Sequence, residues 1–290
     1  MTAEAASLHL VNLGCGHRYH PEWINIDTAP QAPGIIKHDL SRGIPLADAS
    51  SDAIYHSAVL EHFRRSDALT FLRECLRVLR PGGIIRVAVP DLEKLCQLYL
   101  LKLEAALDGD TIAVHDYDWI MLEMFDQTVR EDSGGEMIGF FRQYPLPNEQ
   151  FVYERIGQEG REIVESLRAG ASERPSKRGM IRLAGQLGRT GLRRIRNTLL
   201  ELLAGPDAVR ALRIGRFRLG GEVHQWMYDR YSLSRLLIEA GFHSPLHQSA
   251  VSSQIPHWTS YNLDTLADGT VIKPDLFYME AIRPKMTVGQ

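Results

Sequence analysis

The sequence predicts an α/β fold built on a parallel β-sheet with helices on both faces. Short apolar runs bounded by turn residues alternate with helical periodicity through the first hundred residues. Parallel strands joined by such crossovers form sheets that are covered on both sides. The 290 residues, 44% of them hydrophobic, allow one large domain or one domain with a substantial insertion.

The strands are predicted from apolar segments at residues 8–13, 23–27, 34–40, 52–57 and 84–89. A helix is predicted before the last of these, in the segment SDALTFLRECLRVLRPGG, because Leu69, Leu72 and Leu76 lie on one helical face. The run Pro81-Gly82-Gly83 is expected to end that helix.

Glycine or polar residues stand at the carboxyl ends of four predicted strands. They are Gly14, Asp27, Asp39 and Ser57. Ligands of open α/β sheets bind beyond the carboxyl ends of the strands, so these residues predict a binding site on one rim.

The loop after the first strand is too short for a dinucleotide. Asp27 follows Gly14 by thirteen residues, where a glycine loop, helix and strand need about twenty. The loop also has no third glycine to open a helix towards a pyrophosphate. Asp27 could accept both ribose hydroxyls, while Asp39 and the N–H of Leu40 could bond the adenine edge. The residues therefore favour an adenosyl ligand without phosphates over NAD.

Eight motifs follow one another along the chain. They are VNLGCG, Asp27, HDL, DAIYHSAVLEH, LRECLRVLRPGG and IIRVAVPD, followed by EVHQWMYDRYSLSRLLIEAGF and DLFYMEAIR. In these motifs and their order the chain resembles the class I S-adenosylmethionine-dependent methyltransferases. It is similar to the methyltransferase type 11 group, and particularly to short-loop members found among polysaccharide genes. The resemblance implies a Rossmann-like, seven-stranded, mostly parallel sheet with an antiparallel last strand, plus a helical insertion.

The resemblance also implies S-adenosyl-L-methionine as cofactor and a set of contacts to it. Asp27 would bind the ribose, and Ser57 would lie beneath the sulfonium. Asp39 and Leu40 would contact the adenine. The methionine and ribose portions would be lined by Leu13, Gly14, Cys15 and Gly16.

His224 is the first candidate for a catalytic base, and Glu61 and His62 are the next. His224 stands before the C-terminal helix, where family members return the chain to the pocket, and an imidazole with a pKa near 6 to 7 could take a proton from a hydroxyl. The alternatives are a helix cap for His224 and a surface cap or pair for Glu61 and His62. No metal site is predicted, because His17, His20 and His38 have no compact ligand spacing.

The chain divides into core residues 1–95, a mostly helical insertion or cap at 96–222, and core residues 223–290. Segment 116–132 interleaves acidic and aromatic residues, which suits either a wall for sugar faces or a helix with one solvated acidic side. Residues 161–218 hold fourteen Arg or Lys and five Asp or Glu, a balance of +9 against −12 for the rest. Segment 178–203 could contact an anionic membrane surface, act as a lid, or form a homodimer contact. Nucleic acid is not favoured, because aromatics do not alternate with its arginines.

These observations predict a methyltransferase (EC 2.1.1.-) that O-methylates a sugar or surface-glycan intermediate. The alternatives are methylation of another small molecule, a non-catalytic adenosyl-binding regulator, and an NAD-dependent sugar oxidoreductase. Three cysteines without metal spacing, no signal-peptide pattern and no long apolar stretch predict a cytoplasmic protein. If segment 178–203 binds lipid, the protein would be peripheral at the inner face of the membrane.

Overall fold

A mixed sheet forms the centre of the structure, a computed structural model that describes residues 8–143, 145–170 and 198–285. Within these residues the sheet has seven strands in the order β3-β2-β1-β4-β5-β7-β6. Strands β1 to β5 pair in parallel, whereas β7 runs antiparallel to both β5 and β6. The predicted fold class is confirmed. The strands are β1 Leu10–Leu13, β2 Trp23–Asp27, β3 Ile36–Lys37, β4 Ser51–Ser57, β5 Leu79–Pro90, β6 His243–Gln248 and β7 Leu276–Ile282.

Helices cover the sheet and fill most of the described chain between β5 and β6. Two of them, α1 and α7, pack on each other and on the sheet. The kink within α5 lies at Gly157, whose φ is +61°. Residues 198–204 are also helical. The helices are α1 Arg65–Val78, α2 Leu92–Leu107, α3 Thr111–Val129, α4 Gly135–Phe141, α5 Glu149–Gly170, α6 Pro206–Arg218 and α7 Arg230–Ala240.

The largest differences in length from the sequence-based prediction are in β3 and β5. β3 has two residues, Ile36 and Lys37, in place of 34–40. β5 begins at Leu79, where α1 has just ended, so the strand runs through Pro81-Gly82-Gly83. The register between β4 and β5 shifts after Ser51, and a bulge of this kind tolerates proline and glycine in a strand.

Hydrophobic residues form separate clusters around the sheet and among the helices. The main core lies between the sheet and helices α1 and α7 and includes the fully buried Leu13, Ile54 and Leu72. An aromatic cluster that includes Trp23 and Tyr55 packs against the segment around Trp258. Helices α2 to α5 surround a further core, whose buried members are Leu95, Trp119, Ile120, Phe140, Phe141, Leu146, Val152 and Val164.

Most of the segment predicted to contact a membrane, residues 178–197, lies outside the described residues. The remaining part, 198–203, is helical and exposes Leu199, Leu202 and Leu203. In the ranges that the structure describes, no helix combines the length and the hydropathy needed to cross a bilayer.

Candidate functional site

The loop after β1 depends on glycine at position 14. Gly14 has φ +63°, and a Cβ there would lie 2.4 Å from Cγ2 of Val59. Its N–H donates to the carbonyl of Ile26 over 2.8 Å, which holds the loop against β2. Residues 14–22, all of them described, form turns and no helix. The short loop predicted from the sequence is thus observed, without a helix N-terminus that could bind a pyrophosphate.

Asp27 is fixed at the end of β2 by backbone donors. One carboxylate oxygen accepts from the N–H of Gly16 over 2.8 Å, and the other accepts from the N–H of Ala29 over 2.7 Å. An ionised carboxylate has about four acceptor positions, so two remain for a ligand. Asp27 lines a cleft of about 700 Å³, and its remaining positions suit the two hydroxyls of a ribose.

Asp39 and Leu40 line the same cleft beyond β3. The Oδ1 atom of Asp39 accepts from the N–H and the hydroxyl of Ser41, at 3.0 and 2.7 Å. These hydrogen bonds hold the pKa of Asp39 below its usual value, and the bond from the Ser41 hydroxyl has the larger effect. The carboxylate therefore stays charged and oriented. Its Oδ2 lies 3.5 Å from Nε of the exposed Arg42, and it is the oxygen that would accept from an amine such as that of adenine.

A second cavity of about 490 Å³ adjoins this cleft at Gly14. It contains the predicted residues Cys15, Gly16 and Ser57. Burial raises the pKa of the Cys15 thiol to about 11, so Cys15 is a neutral wall residue. Leu13 differs from the prediction, because its side chain is fully buried in the main core and lines none of the described cavities.

Charged residues that the sequence interpretation missed also line the second cavity. Nη2 of Arg18 lies 3.8 Å from Oε1 of Glu162, and Nζ of Lys273 lies 3.0 Å from Oε2 of Glu159. Both pairs face the cavity. Paired charges of both signs suit a zwitterionic amino acid group such as the methionine end of the expected cofactor. Lys273 lies two residues before the motif DLFYMEAIR, but no pattern within that segment shows that its side chain faces the loop after β1.

Ala58 connects the described cavities. It follows β4, has φ +53°, and donates its N–H to the carbonyl of Ala88 over 3.0 Å. A left-handed backbone is uncommon for alanine, and such strained residues cluster at functional sites. Ala58 lines the cleft, the second cavity and a third cavity of about 250 Å³. The three spaces therefore meet at this residue.

The three catalytic candidates come together in the structure. Glu61 and His224 line the third cavity, and His62 lines the cleft. The rings of His62 and His224 contact edge to face, with centroids 4.8 Å apart. Their position is set by the backbone, because the carbonyl of Glu61 accepts from the N–H groups of Gln225 and Trp226 at 2.7 and 3.2 Å. These contacts bring residues more than 160 positions apart into one cluster.

Burial controls the ionisation of this cluster. It lowers the pKa of His224 to about 3, with a smaller effect from His62, and it lowers the pKa of His62 as well. It raises the pKa of Glu61 to about 8. Neither carboxylate oxygen of Glu61 has a hydrogen-bond partner among the described residues. The expectation of a His224 pKa near 6 to 7 is therefore wrong, since the buried ring stays neutral far below that range.

Three of the four acidic residues of α3 form neither the predicted wall nor a solvated face, and only Asp118 is exposed. Asp116, Glu123 and Asp126 are buried. They pair at 2.8, 2.8 and 2.6 Å with Lys102, Arg155 and Arg130, respectively. The carboxylates turn inward because their basic partners lie on neighbouring helices or one turn further along α3. They hold the helices together instead of offering oxygens to a ligand.

The sequence is similar to known methyltransferases over part of its length. Residues 12–87 match the model of a family described as "Methyltransferase domain". A "Probable S-adenosylmethionine-dependent methyltransferase" of Mycolicibacterium smegmatis is 32% identical over 104 residues, 30% of this chain and 39% of that protein. A protein of Mycobacterium tuberculosis with the same description is 44% identical over 48 residues, 17% of each chain. The chain thus matches less than half the length of these curated relatives.

Similar solved structures include one described as "the putative methyltransferase" and one named methyltransferase. One is in the complex with the Trm112 methyltransferase activator of Haloferax volcanii, with a TM-score of 0.38, 11% identity and coverage of 96% of this chain and 83% of that one. The other is the 1,6-didemethyltoxoflavin-N1-methyltransferase of Burkholderia thailandensis with bound S-adenosylhomocysteine. Its TM-score is 0.25 and its sequence identity 15%, and the match covers 29% of this chain and 45% of that one. Because both TM-scores are low, the fold assignment depends on the observed strand order. That order and the sequence matches together support a class I methyltransferase core with S-adenosylmethionine as its cofactor.

Proposed function

We propose that this protein transfers a methyl group from S-adenosylmethionine to a hydroxyl group of a sugar or surface-glycan intermediate. One observation carries the proposal: Ala58 lines the cleft that contains Asp27 and Asp39, the second cavity, and the third cavity, which contains Glu61 and His224. A donor bound along the first two spaces would therefore present its reactive end at the mouth of the third. The residues present fit that donor, with Asp27 and Asp39 at its adenosine end and paired charges at its amino acid end.

The third cavity is suited to a small acceptor that has both polar and apolar faces. Gln127, Arg130 and Asp275 supply hydrogen-bonding groups, while Met137 and Phe141 supply apolar surface. A sugar presents the same combination of hydroxyls and apolar ring faces. The volume of the third cavity, about 250 Å³, favours one monosaccharide unit over an extended polymer. Support for a glycan acceptor comes from this shape and from the sequence resemblance, because the acidic residues of α3 are engaged elsewhere.

The cofactor supplies an activated methyl group, so the protein mainly has to align the acceptor. The acceptor oxygen forms a bond to the methyl carbon while the carbon–sulfur bond breaks, and the electron pair goes to sulfur. The acceptor proton would pass to the neutral imidazole of His224, because burial raises the pKa of Glu61 to about 8 and keeps that carboxyl protonated at neutral pH. Alignment in such a site can contribute roughly 7–11 kcal/mol to lowering the barrier, and a positioned proton acceptor adds about 10²- to 10⁴-fold.

The test is formation of S-adenosylhomocysteine in the presence of nucleotide sugars, free sugars and oligosaccharides. His224→Ala is expected to lower turnover about 10²- to 10⁴-fold. The exposed His243 on edge strand β6 gives the matched control, and His243→Ala should keep wild-type turnover. Product formation that is equal in His224→Ala and wild type would contradict the assignment of the third cavity as the acceptor site.

A thermal shift assay separates this proposal from the alternatives of other classes. S-Adenosylhomocysteine should raise the melting temperature, and NAD should not, because residues 14–22 form turns without a helix N-terminus for the pyrophosphate. Stabilisation by NAD alone would favour a sugar oxidoreductase. Stabilisation by the adenosyl ligand without methylation of any acceptor would favour a binding regulator.

A further inference from the structure

We propose that Glu61, His62 and His224 bind a divalent first-row transition-metal ion. The ligand atoms that these residues offer all lie within 4.8 Å of one another. They form the one such group of three His, Cys, Asp or Glu residues found in the described parts of the chain. Donors of a tetrahedral ion with bonds of 2.0–2.2 Å lie about 3.4 Å apart. Side-chain movements of about 1 Å would therefore close the site.

Glu61 supplies the observation that points to a ligand. Its side chain is fully buried, and neither carboxylate oxygen has a hydrogen-bond partner among the described residues. Buried carboxylates in proteins are paired, hydrogen-bonded or bound to metal ions. Glu61 also lines the third cavity together with His224. A cation between them would satisfy a carboxylate that the chain itself leaves unpaired.

His62 is oriented as metal-binding histidines usually are. Its Nδ1 lies 3.4 Å from the carbonyl oxygen of Val223. A bond from Nδ1–H to this carbonyl leaves Nε2 as the metal-binding atom, and such outer hydrogen bonds fix the tautomer of metal ligands. His224 directly follows Val223 in the chain, and its main-chain N–H donates to the carbonyl of Gln127 over 2.9 Å. The backbone therefore orients the ring of His62 and fixes the main chain of His224, whose ring contacts that of His62.

The nearest basic residues do not have to compete for the site. Arg130 pairs with Asp126 at 2.6 Å and with Glu222 at 3.1 Å. Lys273 pairs with Glu159 at 3.0 Å. Their positive charges are therefore partly balanced. Within the described residues neither forms an ion pair with Glu61, although the charge of Lys273 favours its ionised form.

The ligand set indicates which ions the site would take. Imidazole nitrogens suit Zn²⁺, Fe²⁺, Cu²⁺ and Ni²⁺, whereas Mg²⁺, Ca²⁺ and Mn²⁺ prefer oxygen ligands. Three protein ligands leave at least one coordination position open, as in catalytic metal sites. The open position would face the third cavity. If the proposed function holds, an acceptor hydroxyl could occupy it and lose its proton more readily.

Metal binding can be tested without reference to turnover. The full-length protein is stripped with a chelator, dialysed, and titrated with Co²⁺ and Zn²⁺ by calorimetry and visible absorption. We expect one equivalent of metal ion to bind per chain. The bound Co²⁺ should show the visible absorption bands that are typical of a low-symmetry site. Glu61→Gln, His62→Ala and His224→Ala should each weaken binding at least 100-fold, and His243→Ala should not. Affinity for S-adenosylhomocysteine identifies the variants that are folded.

The outcomes separate this proposal from the proposed function. Equal Co²⁺ and Zn²⁺ binding by wild type and the three folded variants, or no binding by wild type, would overturn the metal site. Methyl transfer that continues unchanged in the chelated, metal-free protein would then still support the proposed function. Stoichiometric binding that is lost in the variants would establish the metal site even if no acceptor is methylated.

Discussion

Two buried polar clusters of this protein differ in how their charges are satisfied. Arg86 on β5 is fully buried, and its guanidinium donates to Asp264 at 2.8 and 3.0 Å and to Glu280 at 2.9 Å. The carbonyls of Ser249 and Ser252 accept its remaining hydrogen bonds. Glu61 is equally buried, yet neither of its carboxylate oxygens has a partner among the described residues.

The difference indicates what each cluster does. The Arg86 cluster completes its own hydrogen bonds and joins β5, β7 and the segment around Asp264, so it acts within the fold. The Glu61 cluster is open to a cavity and incomplete, so its missing partners are expected from a ligand. Proteins accept a local loss of stability where function requires it. The first cluster should therefore support stability, and the second should reduce it.

The largest expected effect is on the Arg86 cluster. Arg86→Met removes the cation and leaves Asp264 and Glu280 buried without compensation. Loss of one partner of a buried ion pair costs about 3–5 kcal/mol. Urea denaturation followed by circular dichroism should show this decrease in the free energy of unfolding. A decrease of less than about 1 kcal/mol would mean that the cluster is not what secures this part of the sheet.

His56 gives an intermediate effect that depends on pH. Its ring is fully buried, has no hydrogen-bond partner among the described residues and lines none of the described cavities. Burial lowers its pKa to about 3 from 6.5. Below pH 6.5 the unfolded chain therefore binds a proton that the folded chain does not, and stability falls as pH falls.

The replacement His56→Leu should remove this pH dependence. The free-energy difference between variant and wild type should grow by about 2 kcal/mol between pH 6.5 and 4.5, with a slope that approaches about 1.4 kcal/mol per pH unit well below pH 6.5. Chemical denaturation at several pH values measures it. A difference that does not change with pH would show that the His56 ring is protonated in the folded protein. His56 also limits what an unpaired buried group can indicate. Unlike Glu61 it lines none of the described cavities, so it does not suggest a ligand.

The smallest expected effect is a gain of stability at Glu61. Glu61→Met replaces an unpaired buried carboxylate by an apolar side chain of similar size. In the presence of a chelator, the free energy of unfolding should rise by about 1–3 kcal/mol, which is the usual desolvation cost of an unsatisfied group. The matched change Glu280→Met should lower it instead. If both variants lose stability equally, the two clusters do not differ in the way described.

The sequence predicted the rim of the site better than its interior. Gly14, Asp27 and Asp39 follow strands within one short stretch, so local patterns placed them on one edge of the sheet. The pairing of Arg86 with Asp264 joins residues 178 positions apart, and no periodicity reports such a contact. The left-handed conformation of Ala58 was equally hidden, because alanine has no preference for it.

The interior cluster shows a similar limit. Glu61, His62 and His224 were each candidates from the sequence, but their meeting depends on backbone hydrogen bonds between two distant loops. Their burial, which sets their pKa values, comes from helices that lie between β5 and β6. The acidic residues of α3 were misinterpreted for the same reason, since their basic partners Lys102 and Arg155 belong to other helices.

Calorimetry of S-adenosylhomocysteine binding to wild type, Asp27→Ala and His224→Ala tests the central claim, that the donor and the acceptor chemistry occupy separate spaces that meet at Ala58. Asp27→Ala should weaken binding at least tenfold, because hydrogen bonds to a charged group contribute about 1.5–3 kcal/mol each. His224→Ala should keep the wild-type Kd, although its turnover falls. Unchanged affinity in Asp27→Ala, or an equal loss of affinity in His224→Ala, would contradict this division of the site.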